Sequence, residues 1–282
     1  EIASCLVGSE MCIRDRYMKI SVIIPCFNQG KYLAEALDSV VMQTFSDWEC
    51  IIINDGSIDN SENVALSYVE KDPRFHYICQ KNQGVCIARN RGIAMAQGEY
   101  ILCLDGDDKI SRNFLECMYP ILDEEQSVKV VTSTVVQFGK IHRVIPSTDY
   151  SLEKLMGRNL FVITSMFRKV DFEKTEGFNE NMAKGLEDWD FWLSMLESGG
   201  EVVCAKQAIF YYRIRGYSRN KSISEDYYSL LRKTIYENHK HLFSTIFFNP
   251  KYSFEYYLIA KSYEYKLGKL LFRPIRFLYD LF

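Results

Sequence analysis

Two acidic clusters carry the side chains of this chain that are best suited to chemistry. Asp105-Gly106-Asp107-Asp108 directly follows the apolar run 100–104, and Glu187-Asp188-Trp189-Asp190 comes later, at the start of a helix-like stretch. Because side chains alternate along an extended backbone, two carboxylates of the first cluster would lie on one side of the chain. Proteins usually hold Mg²⁺ with one or two carboxylates and substrate phosphates. The first cluster therefore predicts a divalent-cation site, and the second could supply a base.

Short apolar runs alternate with helix-like stretches from Lys19 onward, and they predict the elements that position these clusters. The predicted strands are 20–25, 49–54, 75–79 and 100–104, and the predicted helices are 31–43, 60–70 and 84–96. This order favours βαβ units and a mainly parallel sheet in an α/β fold. Ligands of such sheets bind beyond the carboxyl ends of the strands, which is where Asn28, Asp55 and Asp105 fall.

The region 125–222 has a more mixed pattern, with predicted strands at 128–136, 163–168, 202–205 and 209–213 and a predicted helix at 188–198. No linker rich in Pro, Gly or Ser separates it from the first half. We therefore expect one α/β domain over residues 18–222, followed by a helical C-terminal extension over residues 223–282.

The first seventeen residues require a separate interpretation. Segment 1–17 lacks the cationic start and apolar core of a signal peptide. It resembles a translated sequencing adaptor, so the natural start is predicted at Met18 and the segment is a non-native leader. A disordered leader is the alternative, and neither interpretation assigns it a function.

Composition excludes several classes of protein. The chain has 282 residues, a net charge of −3 and 48% hydrophobic residues. The charge argues against general nucleic-acid binding, which needs clustered Lys and Arg. No apolar run reaches the roughly 18 residues of a membrane-spanning helix. The nine cysteines show no zinc-ligand spacing, and their odd number without a secretory signal predicts a reducing, cytoplasmic location.

The C-terminal tail, residues 251–282, has two interpretations. It carries six Lys or Arg side chains against three acidic ones, a balance of +3, and its apolar residues are interleaved with the cations. Such a segment could lie peripherally on the inner face of the cell membrane. It could equally be a terminal helix packed on the domain with a solvated basic face. Pro274 would kink a helix in either case.

Six motifs in this order and spacing resemble glycosyltransferase family 2, whose members are inverting enzymes on the A-type glycosyltransferase (GT-A) fold. The resemblance covers about residues 19–215. The motifs are Ser21-Val22-Ile23-Ile24-Pro25-Cys26-Phe27-Asn28, Asn54-Asp55-Gly56-Ser57 with Asp59, Asn82-Gln83-Gly84 with Ala88-Arg89-Asn90 and Gly92, Leu104-Asp105-Gly106-Asp107-Asp108, Gly177-Phe178, and Glu187-Asp188-Trp189-Asp190.

The resemblance implies a set of residues that bind the nucleotide sugar. Asp55 would accept a hydrogen bond from the base, which suits the imide N–H of uracil because an ionised carboxylate only accepts. Phe27 would stack on the base, with a core ring as the alternative. Arg89 would face the nucleotide, with a surface ion pair as the alternative. Pro25 and Asn28 complete this part of the predicted site.

The resemblance also implies the metal and diphosphate contacts. Asp107 would ligate Mg²⁺ or Mn²⁺, and Asp105 would face the ribose and the waters of the metal. Arg213 and Arg215 belong to a late loop, 212–218, that would close over the diphosphate. Relatives often carry His at the position of Arg215; an Arg there can neutralise phosphate but cannot ligate a metal.

Asp188 matches the general base of the family, and Glu187 would orient the loop or the acceptor. The implied reaction moves a sugar from a nucleotide diphosphate sugar, predicted to be a UDP-sugar, to a hydroxyl of a glycan or lipid-linked saccharide. The implied setting is bacterial surface-polysaccharide assembly. A non-catalytic sugar-nucleotide-binding or scaffold protein is the alternative. A nucleotidyltransferase or dinucleotide oxidoreductase would need a Gly-rich loop after the first strand, which 25–30 is not.

Overall fold

The computed structural model describes residues 19–215, 224–246 and 249–279. The predicted leader, the start at Met18, the domain boundary at 222/223 and the late-loop residues 216–218 lie outside the described residues. Apolar strands build the first half of the sheet, in the order β3-β2-β1-β4 with parallel pairing throughout. They are β1 (Ile20–Cys26), β2 (Trp48–Asn54), β3 (Phe75–Cys79) and β4 (Tyr100–Cys103).

The connecting helices cover both faces of this sheet, as parallel strands require. They are α1 (Gly30–Val41), α2 (Ser61–Val69) and α3 (Val85–Met95). Alternate residues of β1 enter two different core clusters: Val22 and Ile24 pack with Leu33 and Leu37 of α1, whereas Ile23 packs with Ile93 of α3. The period of two along the strand therefore assigns each helix to one face.

The second half of the chain extends the sheet in the order β4-β8-β6-β9-β5. β8 runs antiparallel to β4 and β6, whereas β6 and β9 are parallel and β7 pairs with β6. The strands are β5 (Lys109–Ile110), β6 (Val128–Gly139), β7 (Arg143–Ile145), β8 (Met166–Arg168) and β9 (Glu201–Ile214), and the helices between them are α4 (Phe114–Glu124), α5 (Leu152–Gly157), α6 (Lys169–Phe172) and α7 (Glu187–Leu196). This mixed α/β architecture, mainly parallel and flanked by helices, confirms the predicted fold class.

The structure differs from the prediction at β8, β9 and α4, and the short elements β5, β7, α5 and α6 were not predicted. The strands predicted at 202–205 and 209–213 are one strand, because a register shift opposite Ser133 and Thr134 accommodates the three residues 206–208. The strand predicted at 163–168 is only Met166–Arg168. Helix α4 was not predicted; it contains Pro120, which usually ends a helix, but it buries Phe114 and Met118 against the sheet.

Helices α8 (Glu225–Asn238) and α9 (Lys240–Thr245) join the core beside α7. Leu231 and Ile235 belong to the same cluster as Trp192. The buried Asp190 carboxylate of α7 accepts a hydrogen bond from Asn238 at 2.8 Å and lies 3.1 Å from His239 Nε2. The first two helices of the predicted extension are therefore part of the domain core.

Helices α10 (Phe254–Lys261) and α11 (Tyr263–Tyr279) follow. Leu267, Leu270 and Leu271 are 56–67% exposed, so this stretch of α11 is not covered by the domain. None of the helices in the described parts of the chain combines the length and the apolar character that crossing a membrane requires.

Candidate active site

The polar residues after β1, β2 and β4 meet at one edge of the sheet, as predicted. Asn28 adopts a left-handed backbone with φ of 53°, a conformation that Asn tolerates better than most residues. Its backbone N–H donates to Ser57 Oγ at 3.0 Å, and its side-chain oxygen accepts from Ile58 N at 2.9 Å. These bonds connect the loop after β1, which contains Phe27, to the loop after β2.

Phe27 is 49% exposed, which excludes the alternative of a core ring. The residue is therefore half-exposed at the sheet edge, and its contact with a base remains a prediction. Pro25 is buried within β1 opposite Ile53. The structure thus gives Pro25 a place in the strand rather than on the exposed surface.

Asp55 is almost completely buried and accepts hydrogen bonds from the loop between β3 and α3. One carboxylate oxygen accepts from Gln80 Nε2 at 2.7 Å and Gln83 N at 2.9 Å, and the other accepts from Gly84 N at 2.8 Å. Gly84 has φ of 94°, which favours glycine, and precedes α3. Asp55 therefore shapes the start of α3, and any hydrogen bond to a base would use its remaining lone pair.

Arg89 joins the two acidic clusters. Its Nη2 donates to Asp105 Oδ1 at 2.8 Å, and its Nη1 donates to Glu187 Oε1 at 3.3 Å. The guanidinium is 1% exposed and lies 5.3 Å from the centre of the Phe178 ring. The alternative of a surface ion pair for Arg89 is wrong, because the side chain bridges two carboxylates inside the protein. The predicted contact of Arg89 with the nucleotide stays a prediction.

The loop at Gly177 and Phe178 closes on α3 from the other side. Asn90 Nδ2 donates to Phe178 O and its Oδ1 accepts from Phe178 N, both at 2.8 Å. Gly177 has φ of 74°, and a Cβ there would lie 2.7 Å from Asn90 Oδ1. The two predicted motifs therefore bind each other and enclose Arg89.

The end of β9 closes over the first acidic cluster. Arg213 N donates to Asp108 Oδ1 and Arg213 Nε to Asp107 O, both at 2.7 Å, and Arg213 Nη2 lies 2.9 Å from Glu35 Oε2. Arg215 forms an ion pair with Asp107 Oδ2. Both predicted diphosphate contacts thus lie at the predicted metal site.

The pKa of Tyr212 on β9 is affected by negative charges from both acidic clusters. Burial, followed by the negative charges of Asp108, Asp105, Asp107 and Asp188, raises the pKa of the Tyr212 phenol to about 12. One side chain therefore lies within electrostatic reach of both clusters. The geometric link between the clusters is Arg89, which contacts Asp105 in the first and Glu187, the neighbour of Asp188, in the second.

Asp105 and Asp107 have the chemistry that a hard divalent cation requires. Their side chains are 33% and 19% exposed, and burial and the neighbouring Asp105 charge raise the pKa of Asp107. Added positive charge would therefore be stabilising here. Among the described residues no group of three or more His, Cys, Asp or Glu side chains is arranged as a metal cage. Two carboxylates still fit Mg²⁺ or Mn²⁺ that arrives with a diphosphate, since phosphate oxygens then complete the shell.

Asp188 begins α7 and is held on both carboxylate oxygens. Asn159 Nδ2 donates to Oδ2 and Trp189 N donates to Oδ1, both at 2.8 Å. Burial, followed by repulsion from Glu187, raises the pKa of Asp188 to about 6, although Arg89 and these hydrogen bonds oppose the rise. The preceding Leu186 has a left-handed φ of 58°, a strained backbone of the kind that accumulates at functional sites.

Four residues near the site were not predicted. Gln29 Nε2 donates to Asp107 Oδ1 at 3.0 Å, Asn159 holds Asp188, Glu35 pairs with Arg213, and the Tyr32 ring lies under Arg213 and Arg215. Each comes from a segment that carries no motif of its own. Only the helical phase of α1, which places Tyr32 and Glu35 on one side, offered a signal.

Comparison with known proteins identifies relatives of this arrangement. Residues 21–185 match the model of the family described as "Glycosyl transferase family 2", which is more than half of the chain. TuaG of Bacillus subtilis (strain 168), a glycosyltransferase provisionally assigned to teichuronic acid biosynthesis, is 29% identical over 222 residues, covering 76% of this chain and 85% of that protein.

Two other relatives are longer than the matching region. Glycosyltransferase GlyG of Streptococcus pneumoniae serotype 4 is 33% identical over 141 residues, which are 48% of this chain and 46% of that protein. Chondroitin synthase of Escherichia coli is 30% identical over 184 residues, 64% of this chain and 27% of that protein. The chain thus matches less than half the length of either.

Solved structures share the fold. TarS residues 1–349 of S. aureus in complex with UDP-GlcNAc has a TM-score of 0.64 at 21% identity, covering 78% of this chain and 66% of that one. The mannosyltransferase PcManGT of Pyrobaculum calidifontis, in complex with GDP-Man and Mn²⁺, has a TM-score of 0.61 at 15% identity, covering 83% and 67%. At these identities the likeness shows the fold alone.

Proposed function

The chain belongs to glycosyltransferase family 2, and on that premise we propose that it is an inverting, metal-dependent enzyme. It transfers a sugar from a nucleotide diphosphate sugar to a hydroxyl of a glycan or lipid-linked saccharide. The proposed nucleotide is UDP. The observation that supports this most is the buried Arg89 bridge. It connects Asp105, a proposed metal ligand, to Glu187, the neighbour of the proposed base Asp188.

In the proposed mechanism Asp188 is the general base. Its carboxylate takes the proton of the acceptor hydroxyl while that oxygen attacks the anomeric carbon. The bond between that carbon and the diphosphate oxygen breaks on the opposite face, so the configuration inverts. Such proton transfer typically contributes about 10²–10⁴ in rate, most effectively when the pKa lies near the working pH. The raised pKa of Asp188, about 6, meets that condition. Glu187 would orient the loop or the acceptor.

Asp107 and Asp105 would hold the Mg²⁺ or Mn²⁺. When bound, the cation neutralises charge that develops on the departing diphosphate. The complex of PcManGT with Mn²⁺ supports this part of the proposal by analogy of fold. Within the chain, Asp105 is already oriented by Arg89 and Asp107 by Gln29, so both carboxylates are in place before a ligand arrives.

Phe27, Asn28 and Asp55 would receive the base of the donor, and Arg213 and Arg215 the diphosphate. Stacking of a base on an aromatic ring is worth about 1–3 kcal/mol, and the half-exposed Phe27 suits it. The complexes of TarS with UDP and UDP-GlcNAc and of PcManGT with GDP-Man support a nucleotide-sugar donor by analogy of fold. We propose uracil as the base because the Asp55 carboxylate can accept from its imide N–H.

We also propose that the enzyme acts in surface-polysaccharide assembly on the cytoplasmic side of a membrane, with its tail in peripheral contact with anionic lipid. The names of TuaG and chondroitin synthase support a glycan product. The exposed Leu267, Leu270 and Leu271 of α11 alternate with lysines, a pattern suited to an anionic interface.

The test is a screen of nucleotide sugars for nucleotide release with and without Mn²⁺, followed by product analysis. Asp188→Asn should bind donor as wild type does but lose at least about 10² in transfer rate. Asp149→Asn, a change of an exposed carboxylate, should leave both unchanged. Undiminished transfer by Asp188→Asn would refute the base assignment. Donor binding by wild type without transfer to any acceptor would favour the non-catalytic alternative.

A further inference from the structure

Arg215 occupies the carboxylate that the proposed metal would need. It follows the last paired residue of β9, where Ile214 lies opposite Gly139 of β6. Its guanidinium pairs with Asp107 Oδ2 and stacks 4.6 Å from the centre of the Tyr32 ring. The other oxygen, Asp107 Oδ1, accepts from Gln29 Nε2 at 3.0 Å. Both oxygens of the carboxylate therefore already have protein partners.

A guanidinium and a divalent cation that bind the same carboxylate oxygen weaken each other's binding. Arginine has five N–H donors and no acceptor, so it offers a metal nothing to bind. Two cations that meet at one carboxylate also repel each other, and the repulsion is strongest where water is excluded. Asp107 is 19% exposed and Arg215 28% exposed, so solvent screens the contact only in part. Metal binding at Asp107 therefore requires Arg215 to move.

Arg215 also retains an unused donor. Its Nη2 is the atom that pairs with Asp107, whereas its Nε is shielded from solvent and forms no hydrogen bond with any described residue. Buried N–H groups without an acceptor cost free energy, and phosphate oxygens satisfy a guanidinium well. Arg213, by contrast, is bonded to Asp107 O, Asp108 and Glu35 and acts as a fixed neighbour.

We propose that Arg215 is an internal counterion that holds Asp107 closed to divalent metal until the diphosphate of the donor draws the guanidinium away. This inference rests on the proposed metal site. Its consequence is an order of binding: the metal binds weakly to the protein alone and tightly once a nucleotide diphosphate is present. Coupling of this kind is reciprocal, so metal should strengthen nucleotide binding by the same factor.

Mn²⁺ binding, followed by the electron paramagnetic resonance signal of the free ion, tests this without any turnover. Without nucleotide, Arg215→Gln should bind Mn²⁺ at least about tenfold more tightly than wild type, equivalent to about 1.4 kcal/mol. Arg215→Lys keeps the charge and should bind Mn²⁺ as weakly as wild type. Lys109→Gln is the matched control, since Lys109 pairs with Glu35 and not with Asp107; its Mn²⁺ affinity should equal that of wild type.

Adding UDP separates this inference from the proposed function. In wild type UDP should increase Mn²⁺ affinity strongly, and in Arg215→Gln the increase should be smaller. Equal Mn²⁺ affinity of wild type and Arg215→Gln, or wild type binding Mn²⁺ alone as tightly as with UDP, would overturn the counterion role and leave the metal site standing. No Mn²⁺ binding by any variant with UDP would overturn the metal site itself.

Discussion

The carboxylates of the candidate site differ in how many hydrogen bonds they already accept from the protein. Asp55 accepts three hydrogen bonds from the loop between β3 and α3, whereas Asp188 accepts one from Asn159 and one from the backbone of α7. Burial and the neighbouring Glu187 charge raise the pKa of Asp188, so this carboxyl group holds its proton more tightly than a solvated one. The same residue type therefore serves as a structural anchor at one end of the cleft and as the proposed base at the other.

The acid limb of the pH profile should report Asp188. Because burial and Glu187 raise the pKa of Asp188 to about 6, the base is protonated below that pH, and kcat/KM should rise as pH increases through about 6. Asn159→Asp removes the donated hydrogen bond and adds negative charge, so it should move this limb to higher pH. A limb that stays in place in Asn159→Asp would assign the titration to another group.

Arg89 should be essential for stability as well as for alignment. Removing one partner of a buried ion pair leaves an uncompensated charge, so Arg89→Gln should lower the free energy of unfolding by about 3–5 kcal/mol, measured by urea denaturation. Arg91 is an exposed neighbour on α3 whose Nη1 donates to Gln80. Arg91→Gln should cost about 0.5 kcal/mol or less; equal losses in the two variants would contradict the bridge.

At the scale of elements, close packing of α3 on β1 positions Arg89. A Cβ at Gly92 would lie 2.5 Å from Ile23 Cγ2, inside the core. Only glycine allows the helix to approach the strand this closely, and the approach sets the depth at which Arg89 reaches Asp105. The motif Ala88-Arg89-Asn90 with Gly92 is therefore one packing unit: the glycine sets the distance, Asn90 holds the Phe178 loop, and Arg89 carries the charge.

Gly92→Ala should consequently destabilise the protein by about 1–3 kcal/mol, the usual cost of overpacking. Gly268 in α11 provides a control, because its replacement by alanine is not expected to lower stability. A Cβ there meets no described atom within 4 Å, so Gly268→Ala should leave the thermal midpoint unchanged or raise it, since alanine favours a helix interior by about 0.5–1 kcal/mol. A stable Gly92→Ala variant would mean that α3 can shift without cost.

At the scale of the whole molecule, the helices after β9 divide into two groups. α8 and α9 complete the core beside α7, because Leu231, Ile235 and Leu242 are buried there. In α11 Leu267, Leu270 and Leu271 are exposed instead. The alternative that this part of the tail packs on the domain is therefore wrong for these side chains, and a surface outside the described chain must cover them if they are covered at all.

If that surface is anionic lipid, the full chain should sediment with vesicles containing phosphatidylglycerol and less with phosphatidylcholine alone. Leu270→Asp combined with Leu271→Asp should abolish sedimentation, since both apolar burial and attraction are lost. Val144→Asp changes a side chain that is 60% exposed on β7 and should sediment as wild type does. Retained sedimentation of the double variant would contradict the proposal. Concentration-dependent association that the double variant loses, without vesicle binding, would identify a second copy as the partner.

Local patterns were sufficient for most of the fold. Apolar strands with turn residues at their ends predicted β1 to β4 and the helices between them. Strands buried on both faces leave continuous apolar runs in the chain, and helices buried on one face leave a helical period. The same patterns failed at β9, because a bulge makes one strand look like two in the sequence. They also failed at α4, because burial of its apolar side chains stabilises a helix that contains Pro120. Both failures are cases in which tertiary packing overrides a local preference.

For the site, the sequence alone determined the residue types and their order: carboxylates after the fourth strand, carboxylates at the start of α7, and arginines after the last strand. Only the tertiary structure decided their partners. Arg89 is buried between Asp105 and Glu187, Asn159 holds Asp188, and Arg215 pairs with Asp107. The reason is physical: strand and helix periods are encoded within a few residues, whereas the partner of a charged side chain depends on which distant segments fold against it.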